Sequence, residues 1–262
     1  MAEPQIRFDD GAAYERIMGV WSRIAGEIFL DWVAPAPGLR WLDVGCGNGA
    51  FTELVVQRCA PASIDGVDPS EGQLAFARTR PASRVAKFTR GDAMALPYPD
   101  ASFDVATMAL VIFFVPDPAK GVAEMVRVLR PGGIVAAYAW DMYGGGFPWA
   151  PVQDEIKALG HKITYPPSAD ASRLEVMREL WGNAGFTELQ TRDIRVQRTF
   201  DSVDEFLSIG LNTPSTGPIV KAMPANDVES LKDRLRARLQ PDKAGRVTLN
   251  AKANAVKGRV PG

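Results

Sequence analysis

Cysteine and histidine are both scarce in this chain of 262 residues, which has only Cys46, Cys59 and His161. Two thiols and one imidazole provide neither a disulfide framework nor the spacing of a metal site, so the expectation is a reducing cytoplasm and no metal. Long hydrophobic runs are also lacking. The longest, VATMALVIFFV at 105–115, falls well short of the roughly 20 residues that cross a bilayer and reads as a buried central strand. The opening MAEPQIRFDDG has early acids and no apolar segment, unlike a secretory signal. A charge bias is absent as well: 30 Lys and Arg stand against 31 Asp and Glu, a net charge of −1, which gives no general attraction to nucleic acid or anionic membranes. What is present is globular in character. Hydrophobic residues at 46% and charged residues at 23% allow one large α/β domain with a sizeable core, and leave little room for two.

The apolar period sets the order of elements. Ile17, Met18, Trp21, Ile24, Ala25, Ile28 and Trp32 recur at steps of three and four, a helical pattern that begins at Tyr14 and is broken by Pro35, Pro37 and Gly38. A short strand at 40–44 follows, then a glycine-rich turn and a helix at 50–59. Strands at 63–67, 86–90, 103–111 and 133–140 alternate with helices at 72–79, opened by Ser70 as N-cap, and 119–129. Five strands alternating with helices predict a doubly wound, mostly parallel sheet covered on both faces. Beyond Trp140 the pattern loosens into a glycine- and aromatic-rich stretch. A helix at 173–183, a strand-like run at 188–200, a helical excursion at 202–240 and an alternating run at 247–260 come after it. The two late strands suit an antiparallel hairpin at one sheet edge.

The turn after the first strand, WLDVGCGNGAF at 41–51, carries Gly45, Gly47 and Gly49. Glycines there let a ligand approach the backbone. The spacing is G-x-G-x-G rather than the G-x-G-x-x-G of dinucleotide folds, and no Lys-Ser or Lys-Thr follows, which excludes a P-loop. Asp43 stands two residues before the first glycine, an awkward neighbour for a diphosphate and a useful one for a cationic amine. Asp68, at the end of the second strand, can accept hydrogen bonds from both hydroxyls of an adenosine ribose. Asp92, after the third strand, can accept an adenine amine while the Ala93 N–H meets a ring nitrogen.

On LDVGCGNG, GVDPS, GDAMALPYPDASFD, VPDP and EMVRVLRPGG, in that order, the chain resembles the class I S-adenosylmethionine-dependent methyltransferases over about residues 12–140. It is most similar to the ubiquinone and menaquinone biosynthesis group. The resemblance implies a Rossmann-like, seven-stranded sheet whose last strand is antiparallel, with helical insertions. It implies S-adenosylmethionine as cofactor, S-adenosylhomocysteine as product, and a small-molecule methyl acceptor. Carried onto this sequence, Asp43 and the loop Gly45, Cys46, Gly47, Asn48 and Gly49 hold the methionine end. Asp68, with Pro69 beside it, holds the ribose, Asp92 and Ala93 the adenine, and Tyr14 lies against the cofactor. The chain departs from the pattern at Phe113 and Phe114, where many relatives carry histidines. It also lacks the Asn/Asp-Pro-Pro-Tyr signature of nucleic-acid amino methyltransferases, so nucleic acid is not the expected partner.

The expected organisation is a single domain over 1–262. Its parts are a helical segment at 1–34, a cofactor-binding core at 39–140, substrate-side insertions or a lid at 141–172 and 201–240, and a closing hairpin at 186–200 and 246–260. Asp141 and Tyr143, just past the fifth strand, are the polar groups best placed for catalysis. Trp21, Arg23, Phe113, Phe147 and Trp149 are the substrate-side candidates, with Gly144 to Gly146 as a possible hinge. His161 suits a helix-capping or surface role. The nine basic residues between 231 and 262, against Asp233 and Asp242, suit a solvated face better than an anion site. Two other functions stay open: a non-catalytic cofactor-binding or interaction protein of the same fold, and an NAD-dependent oxidoreductase, which the glycine spacing disfavours. Oligomeric state and the identity of the acceptor are not readable.

Overall fold

The computed structural model describes residues 15–262, so Tyr14 lies outside the described residues. Seven strands form one sheet: β1 Arg40–Val44, β2 Ser63–Asp68, β3 Ala86–Arg90, β4 Phe103–Ala109, β5 Leu129–Trp140, β6 Thr187–Phe200 and β7 Val247–Arg259. Their spatial order is β3-β2-β1-β4-β5-β7-β6. β1 to β5 pair in parallel, and β7 runs antiparallel to both of its neighbours. This is the doubly wound sheet that the alternation of elements predicts. The strand order reverses between β1 and β4, the place where such sheets receive ligands.

β4 is buried along nearly its whole length, as its continuous apolar sequence requires. Of its two polar residues, Asp104 pairs with Arg40 and Arg130, while Thr107 accepts a 2.9 Å hydrogen bond from the Trp41 indole and donates to the Leu42 carbonyl. The strand ends at Ala109, two residues earlier than the apolar run suggests. Leu110 adopts a left-handed conformation at φ 62°, which turns the chain out of the sheet. β5 begins at Leu129, four residues earlier than expected, because the RPGG turn is absorbed as an irregularity in its pairing with β4. Gly132 there has φ 74°, a conformation open to glycine.

Helices cover both faces. α1 (Val20–Val33), preceded by a π-turn at Glu15–Gly19, buries Trp21, Phe29 and Leu30. Phe29 lies 4.6 Å from Tyr138 of β5 and 5.9 Å from Phe51 of α2 (Ala50–Cys59), ring centre to ring centre. α3 (Glu71–Ala77) and α4 (Pro118–Val128) are capped by Ser70 and Asp117, which accept backbone N–H bonds from Gln73 and Lys120. After β5 come α5 (Ala150–Ala158) and α6 (Leu174–Asn183), and between β6 and β7 lie α7 (Val203–Gly210), α8 (Gly217–Ala222) and α9 (Ala225–Arg238). The α5 region and the loops around α7 and α8 sit over the carboxyl ends of β4 and β5, because α7 packs its Gly210 directly against Trp149 and Val152.

Candidate active site

The loop between β1 and α2 is built from three glycines with positive φ, 74° at Gly45, 51° at Gly47 and 77° at Gly49. Their surroundings differ. A Cβ at Gly45 would stand 2.5 Å from Val111, and one at Gly49 would stand 3.0 Å from Ala77. These two glycines are required by packing against the protein itself. A Cβ at Gly47 would meet only the Gln73 side chain, at 3.9 Å, so this is the position whose backbone is open to a ligand.

Three further groups fix the loop. The Gly45 and Cys46 N–H groups donate to the Val67 carbonyl of β2 at 2.7 and 3.1 Å. Asp68 accepts from the Gly47 N–H and the Ser70 N–H, each at 2.9 Å, one bond per carboxylate oxygen. Arg80, which belongs to no sequence motif, donates to the Asn48 carbonyl at 2.7 Å and pairs with Glu53 at 2.8 Å and with Glu15. Asn48 also donates to Glu15 at 3.1 Å, so the N-terminal turn is clasped onto the loop.

Asp43 is fully buried at the end of β1. Its Oδ2 accepts a 2.6 Å bond from Thr52, while its Oδ1 has no partner. Burial, offset in part by the Thr52 bond and reinforced by nearby Asp68, pushes its pKa up to about 7. Burial likewise raises Asp68. It raises the Cys46 thiol well above its ordinary value, with Asp43 and Asp68 adding to the effect, so Cys46 is a small filler without thiolate character. Asp92 is exposed, and one carboxylate oxygen accepts the Met94 N–H at 2.8 Å, holding the turn after β3; Ala93 beside it is half-buried. Pro69 is exposed. Because β1, β2 and β3 are neighbours with aligned ends, the fold brings Asp43, the glycine loop, Asp68 and Asp92 to one edge.

Next to this loop, past the ends of β4 and β5, lies a cavity of about 550 Å³, including its mouth. Leu110 lines it, one residue before the Val111 that packs on Gly45. Phe113, Phe147 and Trp149 line it, joined by Met18, Trp140 and Met142. Trp149 is fully buried, donates to the Met18 sulfur at 3.2 Å and packs on Phe200 and Phe206.

Five expectations need correction. Trp21 is sealed in the core against Phe200, away from the cavity, because it belongs to the inward face of α1. Arg23 is on the outer face, 64% exposed and paired with Glu27, where it lines a separate pocket with Glu53 and Arg80 and not this cavity. Asp141 is buried and committed to structure: it pairs with Lys252 at 2.6 Å and accepts the Gly144 N–H at 2.9 Å. Tyr143 is 46% exposed, in contact with the Tyr165 ring and the Arg173 guanidinium. Nor is Gly144–Gly146 a hinge. A Cβ at Gly144 would stand 2.0 Å from the Asp141 carboxylate and one at Gly146 would stand 2.4 Å from the Lys252 carbonyl, so the turn is pinned.

Gln153 is a residue the sequence reading passed over. It lines the cavity from α5, where Val152, Gln153 and Ile156 are the buried positions. A polar residue one step from Val152 and three from Ile156 on an otherwise apolar face was the available signal. Elsewhere, His161 pairs with Asp227 at 2.9 Å on the surface. Most of the C-terminal basic side chains are ion-paired, Arg234 and Arg238 with Glu155, Arg246 with Asp242 and Lys252 with Asp141. Among the described residues no group of three or more His, Cys, Asp or Glu is arranged to hold a metal, and no helix is long and apolar enough to cross a membrane.

Residues 42–137 match the family model described as a methyltransferase domain. The chain is 36% identical to the demethylmenaquinone methyltransferase of Staphylococcus aureus over 131 residues, 49% of this chain and 52% of that one. It thus spans about half the length of the curated relatives it matches. In fold it is similar to the Haemonchus contortus phosphoethanolamine N-methyltransferase 2 solved with phosphomonomethylethanolamine and S-adenosylhomocysteine. There the TM-score is 0.59 at 20% identity, over 96% of this chain and 57% of that one. It is also similar to the [4+2]-cyclase SpnF, with a TM-score of 0.56 at 21% identity over 96% of this chain and 94% of that one.

Proposed function

We propose, from the match of residues 42–137 to a methyltransferase-domain model, that the protein transfers the methyl group of S-adenosylmethionine to a small molecule held in the cavity beyond β4 and β5. The observation that carries the reading is Asp43: a sealed carboxylate with an unpartnered oxygen beside a glycine loop. Such a group calls for a cation, and the methionine end of S-adenosylmethionine offers an ammonium. A diphosphate would be repelled there, which disfavours a nicotinamide dinucleotide. The Gly47 backbone, open on its outer side, permits the close approach that the reading requires.

Asp68 fits the ribose. Each of its oxygens already accepts one backbone N–H, which fixes the carboxylate's orientation and leaves a lone pair on each for a hydroxyl. Asp92 and Ala93 fit the adenine edge. When bound, the cofactor supplies a methyl group activated by a sulfonium and leaves as S-adenosylhomocysteine. The protein's own work is to align the acceptor and exclude water. The aromatic wall does the second, and the Val111–Gly45 contact joins the two compartments. No ionisable side chain lines the cavity among the described residues, so the wall presents no proton acceptor. That same observation favours a second reading, a cofactor-binding protein of this fold that does not transfer methyl. The free, buried Cys46 and Cys59 fit a reducing compartment such as the cytoplasm.

Calorimetry with S-adenosylmethionine and S-adenosylhomocysteine tests the cofactor, and saturable binding of both is expected. Mass spectrometry of co-purifying ligands, followed by a screen for products heavier by one methylene unit, tests the transfer. Absence of binding overturns the first reading; binding with no methylated product from any co-purified ligand favours the second.

A further inference from the structure

We infer that the acceptor is a neutral, largely apolar molecule carrying one hydroxyl or carbonyl that the Gln153 carboxamide engages. This deepens the methyl-transfer reading and rests on it. Among the described residues fifteen line the cavity, and none of these is Asp, Glu, Lys, Arg or His. The acid next to the cavity wall in sequence, Asp141, is already paired with Lys252. A charged acceptor would therefore give up its hydration for phenyl, indole and thioether surfaces with no opposite charge in reach, a steep penalty.

Besides the Trp140 indole N–H, a donor alone and also without a partner, the polar side chains of the wall among the described residues are Gln153, Thr164, Thr213 and Ser215. Thr213 is satisfied by Thr216 at 2.7 Å and by Ser215 at 3.0 Å. Gln153 differs: it is 3% exposed, and among the described residues its carboxamide makes no hydrogen bond to the protein. Buried amides without a partner are rare and call for an explanation. Its place on the wall supplies one, since the group faces the space an acceptor would fill. A carboxamide offers both a carbonyl and an NH₂, so it complements a hydroxyl or a carbonyl equally well.

The surrounding wall suits a flat, apolar body. Phe113 and Phe114 contact each other edge to face at 4.6 Å on one side. Trp149 is held in place by Met18, Phe200 and Phe206. An amide fixed on a helix within such a wall selects where the acceptor's polar atom lies, and thereby which way the molecule points toward the glycine loop.

The test uses the full chain with excess S-adenosylhomocysteine and three probes followed by calorimetry: 4-phenylphenol, biphenyl and biphenyl-4-carboxylate. The expected order places 4-phenylphenol about tenfold or more tighter than biphenyl, reflecting one hydrogen bond to an otherwise unpaired amide, with the carboxylate weakest. In Gln153→Leu the phenol falls to the affinity of biphenyl, while S-adenosylhomocysteine binds as in the parent. Gln153→Met, closer in shape, should give the same result and serves if the leucine variant does not fold. A carboxylate that binds as tightly as the phenol, a phenol advantage that survives both substitutions, or no saturable binding of any probe overturns the inference. A failure of S-adenosylhomocysteine to bind, with the probe order intact, instead sinks the methyl-transfer reading and leaves the cavity's preference standing.

Discussion

At pH 8 the Asp43 carboxylate is ionised inside the protein, with one oxygen bonded to Thr52 and the other to nothing. Its pKa is raised from 3.8 to about 7, so its share of stability is complete below the ordinary value and is lost as pH rises to about 7. The span corresponds to on the order of 4 kcal/mol. Asp43→Asn should therefore melt several degrees above the parent at pH 8, with the gap closing steadily toward pH 4; a gap that does not change with pH would show that the charge is compensated. Because an ammonium beside the carboxylate reverses the shift, S-adenosylmethionine should bind more tightly as pH rises from 5 to 7 and level off above, and Asp43→Asn should flatten that dependence in calorimetric titrations. Asp68→Ala removes acceptors for two hydroxyls and should weaken cofactor binding by about tenfold or more; unchanged affinity would show the ribose assignment wrong. The placement of Asp43 and Asp68 was legible because it follows from strand ends beside glycines. Gln153 was not, because its meaning depends on which residues face it from segments near 18, 113 and 213. The pairing of Asp141 was hidden for the same reason, its partner Lys252 lying on a strand more than a hundred residues away.

Among elements, the glycine loop separates two roles that look identical in sequence. Gly45→Ala forces a methyl to within 2.5 Å of Val111 and should destabilise the fold by several kcal/mol, as overpacking at a buried site does. Gly47→Ala meets nothing closer than 3.9 Å and should cost only the 1 to 2 kcal/mol of a left-handed alanine, yet abolish most cofactor affinity. Denaturant melts and calorimetry on the two variants read the difference, and full affinity in Gly47→Ala would mean that no ligand approaches there. The turn at Gly144–Gly146 makes the opposite point. Three consecutive glycines suggest mobility from sequence alone, whereas here they admit the Asp141 side chain and the Lys252 backbone into close contact. Asp141→Ala should lower the melting temperature by several degrees with cofactor affinity intact; a loss confined to turnover would restore Asp141 as a catalytic group. The parallel strands were legible from their apolar runs and the helices from their period. The end of β4 was not, since Leu110 leaves the sheet through a backbone conformation that no side-chain pattern announces.

For the molecule as a whole, ligand and fold are coupled: a cofactor that binds only the folded chain at a hundred times its dissociation constant adds about 2.7 kcal/mol. For a chain of this length that should raise the melting temperature by roughly 5 to 10 °C, which a thermal shift assay with S-adenosylhomocysteine will read. The late hairpin was legible as two strands, but its insertion, with β7 between β5 and β6, was not. Nothing local to residues 187–200 says that their partner comes after three helices. That arrangement has a consequence in time. On the ribosome β6 is made first and waits unpaired, because its place in the sheet does not exist until residues 247–259 have emerged. At 5–20 residues per second the delay is on the order of several seconds. During it the growing chain exposes a strand with charges of both signs, TELQTRDIRVQRTF, whose arginines and acids discourage premature pairing with other chains.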